Sequence, residues 1–243
     1  MGSIKVTPKR ISELDLSESL TTASMFYQCF SLENVLIINT SKVQTMQQMF
    51  NVCFSLKNIP FMNTSNVTIM THMFNQCQSL NYIPTFNTSK VESMDHMFYG
   101  CSSLKTIPLL DTSNVTNMYQ MFMNCYSLET IPLLDTSSVT NMSYMFYSCY
   151  NLNSVPAIDV STVTSAANFN IMFIACYSLS RIEATGFRFS FSVANNKLSG
   201  TALDEIYTNL PVVGSGTITV SGNYGVASDD PTIATAKGWT VTG

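Results

Sequence analysis

Seven times along the chain the same apolar pattern returns. Phe26, Phe50, Phe74, Phe98, Phe122, Phe146 and Phe173 each follow a Met, precede a Cys by three residues and a Leu by six. The cysteines, Cys29, Cys53, Cys77, Cys101, Cys125, Cys149 and Cys176, are spaced by 24 residues five times and then by 27. The unit reads Asx-Thr-Ser-x-Val-x-x-Met-x-x-Met-Phe-x-x-Cys-x-Ser-Leu-x-x-Ile-Pro-x-x. Within one unit Val43, Met46, Met49, Phe50 and Cys53 recur at spacings of three and four, which predicts one face of a short helix. Thr40 or Ser41 stands where its N-cap would be. Leu56, Ile59 and Met62 then occupy a segment too short for a helix and suited to extended chain. Such a unit cannot bury its apolar stripe alone, whereas stacked copies bury a continuous core. A 24-residue period lies in the leucine-rich-repeat range. The predicted fold class is therefore an α/β repeat, a leucine-rich-repeat-like solenoid of short-helix/short-strand units.

Two polar columns qualify this picture. Asn39, Asn63, Asn87, Asp111, Asp135 and Asp159 fall at one phase, where each extended segment turns toward the next unit. Side chains of this kind stabilise turns by bonding nearby backbone. As a cation ladder they would be poor, with one Asx per turn and half of them amides. Pro60, Pro84, Pro108, Pro132 and Pro156 follow the Ile/Val position and cannot donate to a strand ladder. Parallel pairing is accordingly expected to be short.

The pattern decays at both ends. Residues 1–24 read as a degenerate half-repeat cap, with Ile11 in the place of Val35, Leu14 of Ile38 and Asp15 of Asn39. Residues 25–186 form the array. Residues 187–243 read as longer capping repeats, with a strand at Phe187, Phe189, Phe191 and Val193 and a helix at Leu203, Ile206 and Leu210. A second strand falls at Ile218 and Val220, Asp230-Pro231 opens a helix, and Trp239 to Val241 form a last strand. A separate small β-domain is the alternative for this tail.

Composition narrows the function. The 243 residues are 46% hydrophobic and only 11% charged, with a net charge of −4 and no run of Lys or Arg, which disfavours nucleic-acid partners. No stretch approaches a membrane span. Met1 to Val6 lacks the apolar core of a secretory signal, and Gly2 has little to support myristoylation. The cysteines belong to the apolar stripe and are expected as buried free thiols, with no Cys-x-x-Cys spacing for zinc. His72 and His96 share one phase, where other units have Gln48, Gln120 and Tyr144. They could share a metal with Asp95 or Glu92, but a solvated helix position is the favoured reading, because Gln and Tyr serve equally well there, and no metal or cofactor is assigned. Nucleotide-loop, metalloprotease and hydrolase motifs are missing, and the chain reads as a non-enzyme.

The residues Ser113-Asn-Val-Thr-Asn-Met118, Met121-Phe122, Cys125 and Ser127-Leu128 resemble the BspA-like leucine-rich repeat surface proteins, in register over roughly residues 25–182. The resemblance implies a right-handed solenoid displayed at a cell surface, used in adhesion or partner recognition. The tail from Leu198 to Val241 resembles C-terminal segments of bacterial surface and phage tail-associated proteins. The expected function is extracellular recognition of a host or cell-surface protein or glycan, on a cell or a virion. The alternative is a structural part of a phage tail or surface appendage. The candidate binding residues are the variable strand-face columns Lys57, Asn58, Asn81, Tyr82, Lys105, Thr106, Glu129 and Thr130.

Overall fold

The computed structural model describes residues 8–169, 171–213 and 215–243. The readings made on Met1 to Val6 lie outside them. The chain forms a β-solenoid of about 10 turns with 24-residue spacing. The first cap pairs in the register its sequence predicts. Strand β1 (Arg10–Ile11) lies parallel to β3 (Asn34–Val35) with Ile11 opposite Val35, and β2 (Leu14–Asp15) lies parallel to β4 (Ile38–Asn39) with Leu14 opposite Ile38. Further along, β5 (Ser154–Asp159) pairs with β6 (Arg181–Thr185). Between these ends strand-type pairing is reduced to single parallel bridges, such as Thr45 to Ile69 and Ile69 to Ser93.

The shortness of the pairing has a visible cause. In the second turn Leu36 donates its N–H to Ile11 O at 3.0 Å. One period later the same place is Pro60, and then Pro84, Pro108 and Pro132, none of which has a proton to give. The ladder bond is lost there, and only the flanking bonds, such as Lys57 N–H to Glu33 O at 2.9 Å, remain.

The expected repeat helix is not formed, and residues 46–53 instead make consecutive tight turns. Met49 and Cys53 donate to the carbonyls three residues back, Met46 and Phe50, each at 3.1 Å. The residues between them donate outward to the next coil, with Gln48 reaching Thr71 O, Phe50 reaching Met73 O and Val52 reaching Asn75 O. Two residues of each of the first six units are left-handed, Gln48 at φ 56° and Val52 at φ 64° in this copy, which ends any helix. Serial three-residue returns bring positions i, i+3 and i+4 to one side just as a helix does, so spacing alone could not separate the two. Replacing Val52 by Gly is expected to raise stability by about 1 kcal/mol in urea denaturation, because a β-branched residue is strained at positive φ. At a helical position the same change would lower it.

Thr40 is not an N-cap either. It is buried and its hydroxyl donates to Asn63 O of the next turn at 2.9 Å, as Thr112 does to Asp135 O and Thr136 to Asp159 O. The Asx column caps its own turn from outside: Asp111 Oδ1 accepts from Ser113 N–H at 3.2 Å and Asp135 Oδ1 from Ser137 N–H at 3.0 Å.

Inside, each column stacks on itself. The rings of Phe50, Phe74, Phe98, Phe122 and Phe146 lie 5.7–5.8 Å apart and within 7° of parallel. Every Cys from Cys53 to Cys176 is buried, and its thiol donates to a Phe carbonyl of the preceding turn, Cys125 to Phe98 O at 3.0 Å for example. Burial pushes the Cys53 and Cys176 thiols up to about 12, which keeps them protonated and inert.

The tail winds larger turns. Strand β7 (Phe191–Ser192), β8 (Gly216–Thr219) and β9 (Trp239–Thr242) form one parallel sheet in that order. Helix α1 (Gly200–Asn209) starts at Ser199, whose side chain accepts from Ala202 N–H, and α2 (Thr232–Thr235) follows Asp230, whose carboxylate accepts from Thr232 N–H. Among the described residues no helix is long and apolar enough to cross a membrane.

Candidate recognition groove

The solenoid exposes apolar side chains in two regular columns, the stacked rings of Phe30, Phe54, Tyr126, Tyr150 and Tyr177 and the column of Phe61, Leu109 and Leu133. Outside any regular strand, Ile107 is buried, and from Leu109 to Thr112 the chain alternates, with Leu109 and Asp111 exposed and Leu110 and Thr112 buried. Pro108 helps by disfavouring helical backbone at Ile107. The next turn repeats the arrangement with Leu133 and Asp135. Leu109 and Leu133 remain 66% and 59% exposed, unlike any other leucine in the central repeats, and Phe61 of the same column is 74% exposed.

These segments line a groove of about 950 Å³, built from residues 86–89, 109–113, 133–137 and 157–159 with Thr185. Its floor is buried Phe86, Leu110, Leu134 and Ile158. Its rim carries Asn87, Asp111, Asp135 and Asp159, and no Lys or Arg lines it. The Ser113 hydroxyl and N–H hold Asp111 below the usual carboxylate range, against the charge of Asp135. Ser137 does the same for Asp135. At neutral pH the rim is therefore anionic. A shorter cavity of about 480 Å³ continues it past Ala157 and Thr185, against α1.

The strand-face residues singled out from sequence are all exposed, but none lines this groove. Their charges are paired across turns: Lys57 meets Glu33 at 3.2 Å and Lys105 meets Glu129 at 3.4 Å. Asn58 donates to the Asn34 side chain at 2.9 Å. Asn81, Tyr82, Thr106 and Thr130 stay open to solvent, Tyr82 most of all. Elsewhere, His72, Asp95 and His96 gather one potential ligand atom each within 4.8 Å of one another. Cys29 to Cys176 offer no metal set among the described residues.

Stacked 24-residue turns with a buried Phe ladder define a repeat solenoid of the leucine-rich-repeat type. The family model described as "Mycoplasma protein of unknown function, DUF285" matches residues 20–130 and 103–187, and the chain belongs to that family. It is a BspA-like repeat family, in agreement with the resemblance carried by Ser113 to Leu128. Among solved structures the chain is similar to a leucine rich repeat protein of T. pallidum at 21% identity and TM-score 0.36, covering 58% of this chain and 71% of that one. It is also similar to a leucine rich cell surface protein of Faecalibacterium prausnitzii A2-165 at 21% identity and TM-score 0.49, covering 90% of this chain and 62% of that one. No curated protein matches it.

Proposed function

We propose that the chain is a non-enzymatic recognition module, displayed at a surface, that takes an extended protein segment along the groove. The observation that carries this reading is the pair of exposed leucines, Leu109 and Leu133, set beside a row of carboxylates over an apolar floor. Exposed apolar columns rimmed by polar groups are how binding grooves look in soluble proteins. Successive turns stand about 4.8 Å apart, so four of them span about 14 Å, the length of four or five extended residues. The anionic rim selects a segment that carries Lys or Arg beside its apolar residues. The strand-face columns through Tyr82 and Lys105 flank the groove as a second contact surface.

An array of peptides and glycans probed with the purified chain tests this. Binding to basic-apolar peptides is expected, weakened at least about tenfold when Leu109 and Leu133 are both changed to Ser, with an unchanged melting temperature. The double change of Tyr82 and Lys105 to Ala is expected to weaken it less. If the strand-face pair abolishes binding and the groove pair does not, the ligand lies on the strand face. Capture of glycans alone would exclude the peptide reading. Self-assembly with no captured ligand would favour a structural appendage.

A further inference from the structure

The two histidines of the chain occupy one phase of adjacent turns. His72 and His96 are both left-handed, at φ 57° and 54°, so their side chains leave the turns in parallel and the rings stack at 4.2 Å, 15° from parallel. Asp95 enters the same space from the turn of His96. Its Oδ2 lies 3.2 Å from His96 Nδ1 and 3.5 Å from His72 Nδ1. Ser93 donates its hydroxyl to Asp95 Oδ1 at 2.8 Å, which orients the carboxylate and leaves Oδ2 facing both imidazoles. His72 Nδ1 is buried and has no hydrogen-bond partner. A buried ring nitrogen in that condition is costly unless something fills the place.

We propose that His72, Asp95 and His96 bind a divalent transition metal ion of the zinc class. In a tetrahedral site with bonds of about 2.0–2.1 Å, neighbouring ligand atoms stand about 3.3 Å apart. The two Nδ1 to Oδ2 separations already have this length, and all three ligand atoms lie within 4.8 Å of each other. Two imidazoles and one carboxylate suit zinc, cobalt or nickel, whereas calcium and magnesium require more oxygen ligands. An imidazole donates in its own plane, so loading fans the stacked rings apart and leaves a fourth position for water. The surrounding rings, Tyr119 at 5.0 Å and Tyr99 at 5.8 Å from His96, pack against the site. None of its three ligands lines the groove, so the metal site stands or falls apart from the recognition reading.

The repeats supply safe replacements. Gln48 and Gln120 hold the same phase at φ 56° and 55°, and Ser143 holds the phase of Asp95. The whole chain, with its thiols kept reduced, is titrated with Zn2+ by calorimetry and with Co2+ by visible absorption. One ion per chain is expected, with a Co2+ spectrum free of thiolate charge-transfer bands. Binding is expected to weaken more than about tenfold in each of His72→Gln, His96→Gln and Asp95→Ser, and to persist in Cys29→Ser. The absence of binding overturns the site. So does binding that survives the three substitutions, or a thiolate band.

Discussion

Replacing Phe98 by Ala is expected to cost about 3–5 kcal/mol, the largest loss from any single side chain of the central array. Phe98 is fully buried, and its ring lies 5.8 Å from that of Phe74 and 5.7 Å from that of Phe122. Removing it opens a cavity between two rings that backbone bonds hold apart, Phe98 N–H to Met121 O at 3.0 Å among them, so the gap cannot close by sliding. Each turn of a solenoid contacts only its neighbours, so the loss falls on one junction. Urea denaturation followed by tryptophan-independent circular dichroism would show it, as a lower midpoint or as a split transition. Phe98→Leu should cost less, because Leu fills part of the space. A loss below about 1 kcal/mol for Ala would mean that the ladder contributes little beyond the backbone bonds.

The second large effect is expected in the tail. Asn223 is buried, and its amide donates to Val193 O at 2.8 Å and Val220 O at 2.7 Å while its Oδ1 accepts from Leu198 N–H at 3.2 Å. Asn196 acts in the same way one turn earlier, donating to Val193 O and accepting from Cys176 N–H. These asparagines take over where the cysteine column stops. Asn223→Ala strands the buried Leu198 N–H and takes one of two donors from Val193 O, which keeps Asn196, and from Val220 O, which keeps the backbone N–H at 223, so a loss of about 1–3 kcal/mol is expected. Hydrogen exchange should accelerate first in β7, β8 and β9. An unchanged exchange pattern there would show that water replaces the amide without loss.

Much of this architecture is legible in the sequence because stacking enforces periodicity. The Phe, Cys and Leu columns named the core, and the match of Ile11 to Val35 and Leu14 to Ile38 is the register that β1 to β4 adopt. The tail's helices and its strands β8 and β9 also follow its apolar spacing, whereas the strand expected over Phe187 to Val193 shortens to Phe191–Ser192. The repeat helix was misread because tight turns and helices place the same residues inward. One signal could have separated them. The column of Val52 holds Gly100 and Asn124, the residue types that favour positive φ, one residue before the last apolar position of the supposed helix.

The groove was missed for a different reason. Variation in polar type marks columns such as those of Lys57 and Glu129, and these pair across turns. Leu109 and Leu133 hid among the many apolar residues of the array, although they stand at outward positions of an alternating segment, where a solvated strand would carry polar groups. The meeting of His72, Asp95 and His96 was visible as a coincidence of phase, and the 4.2 Å stacking gives it geometry.

The most direct test of the recognition reading is a hydrogen-exchange footprint of the chain with the tightest peptide from the array. Protection confined to residues 86–89, 109–113, 133–137 and 157–159 is the predicted result. Protection of residues 57–58, 81–82, 105–106 and 129–130 instead, or of the two capping ends, would contradict it.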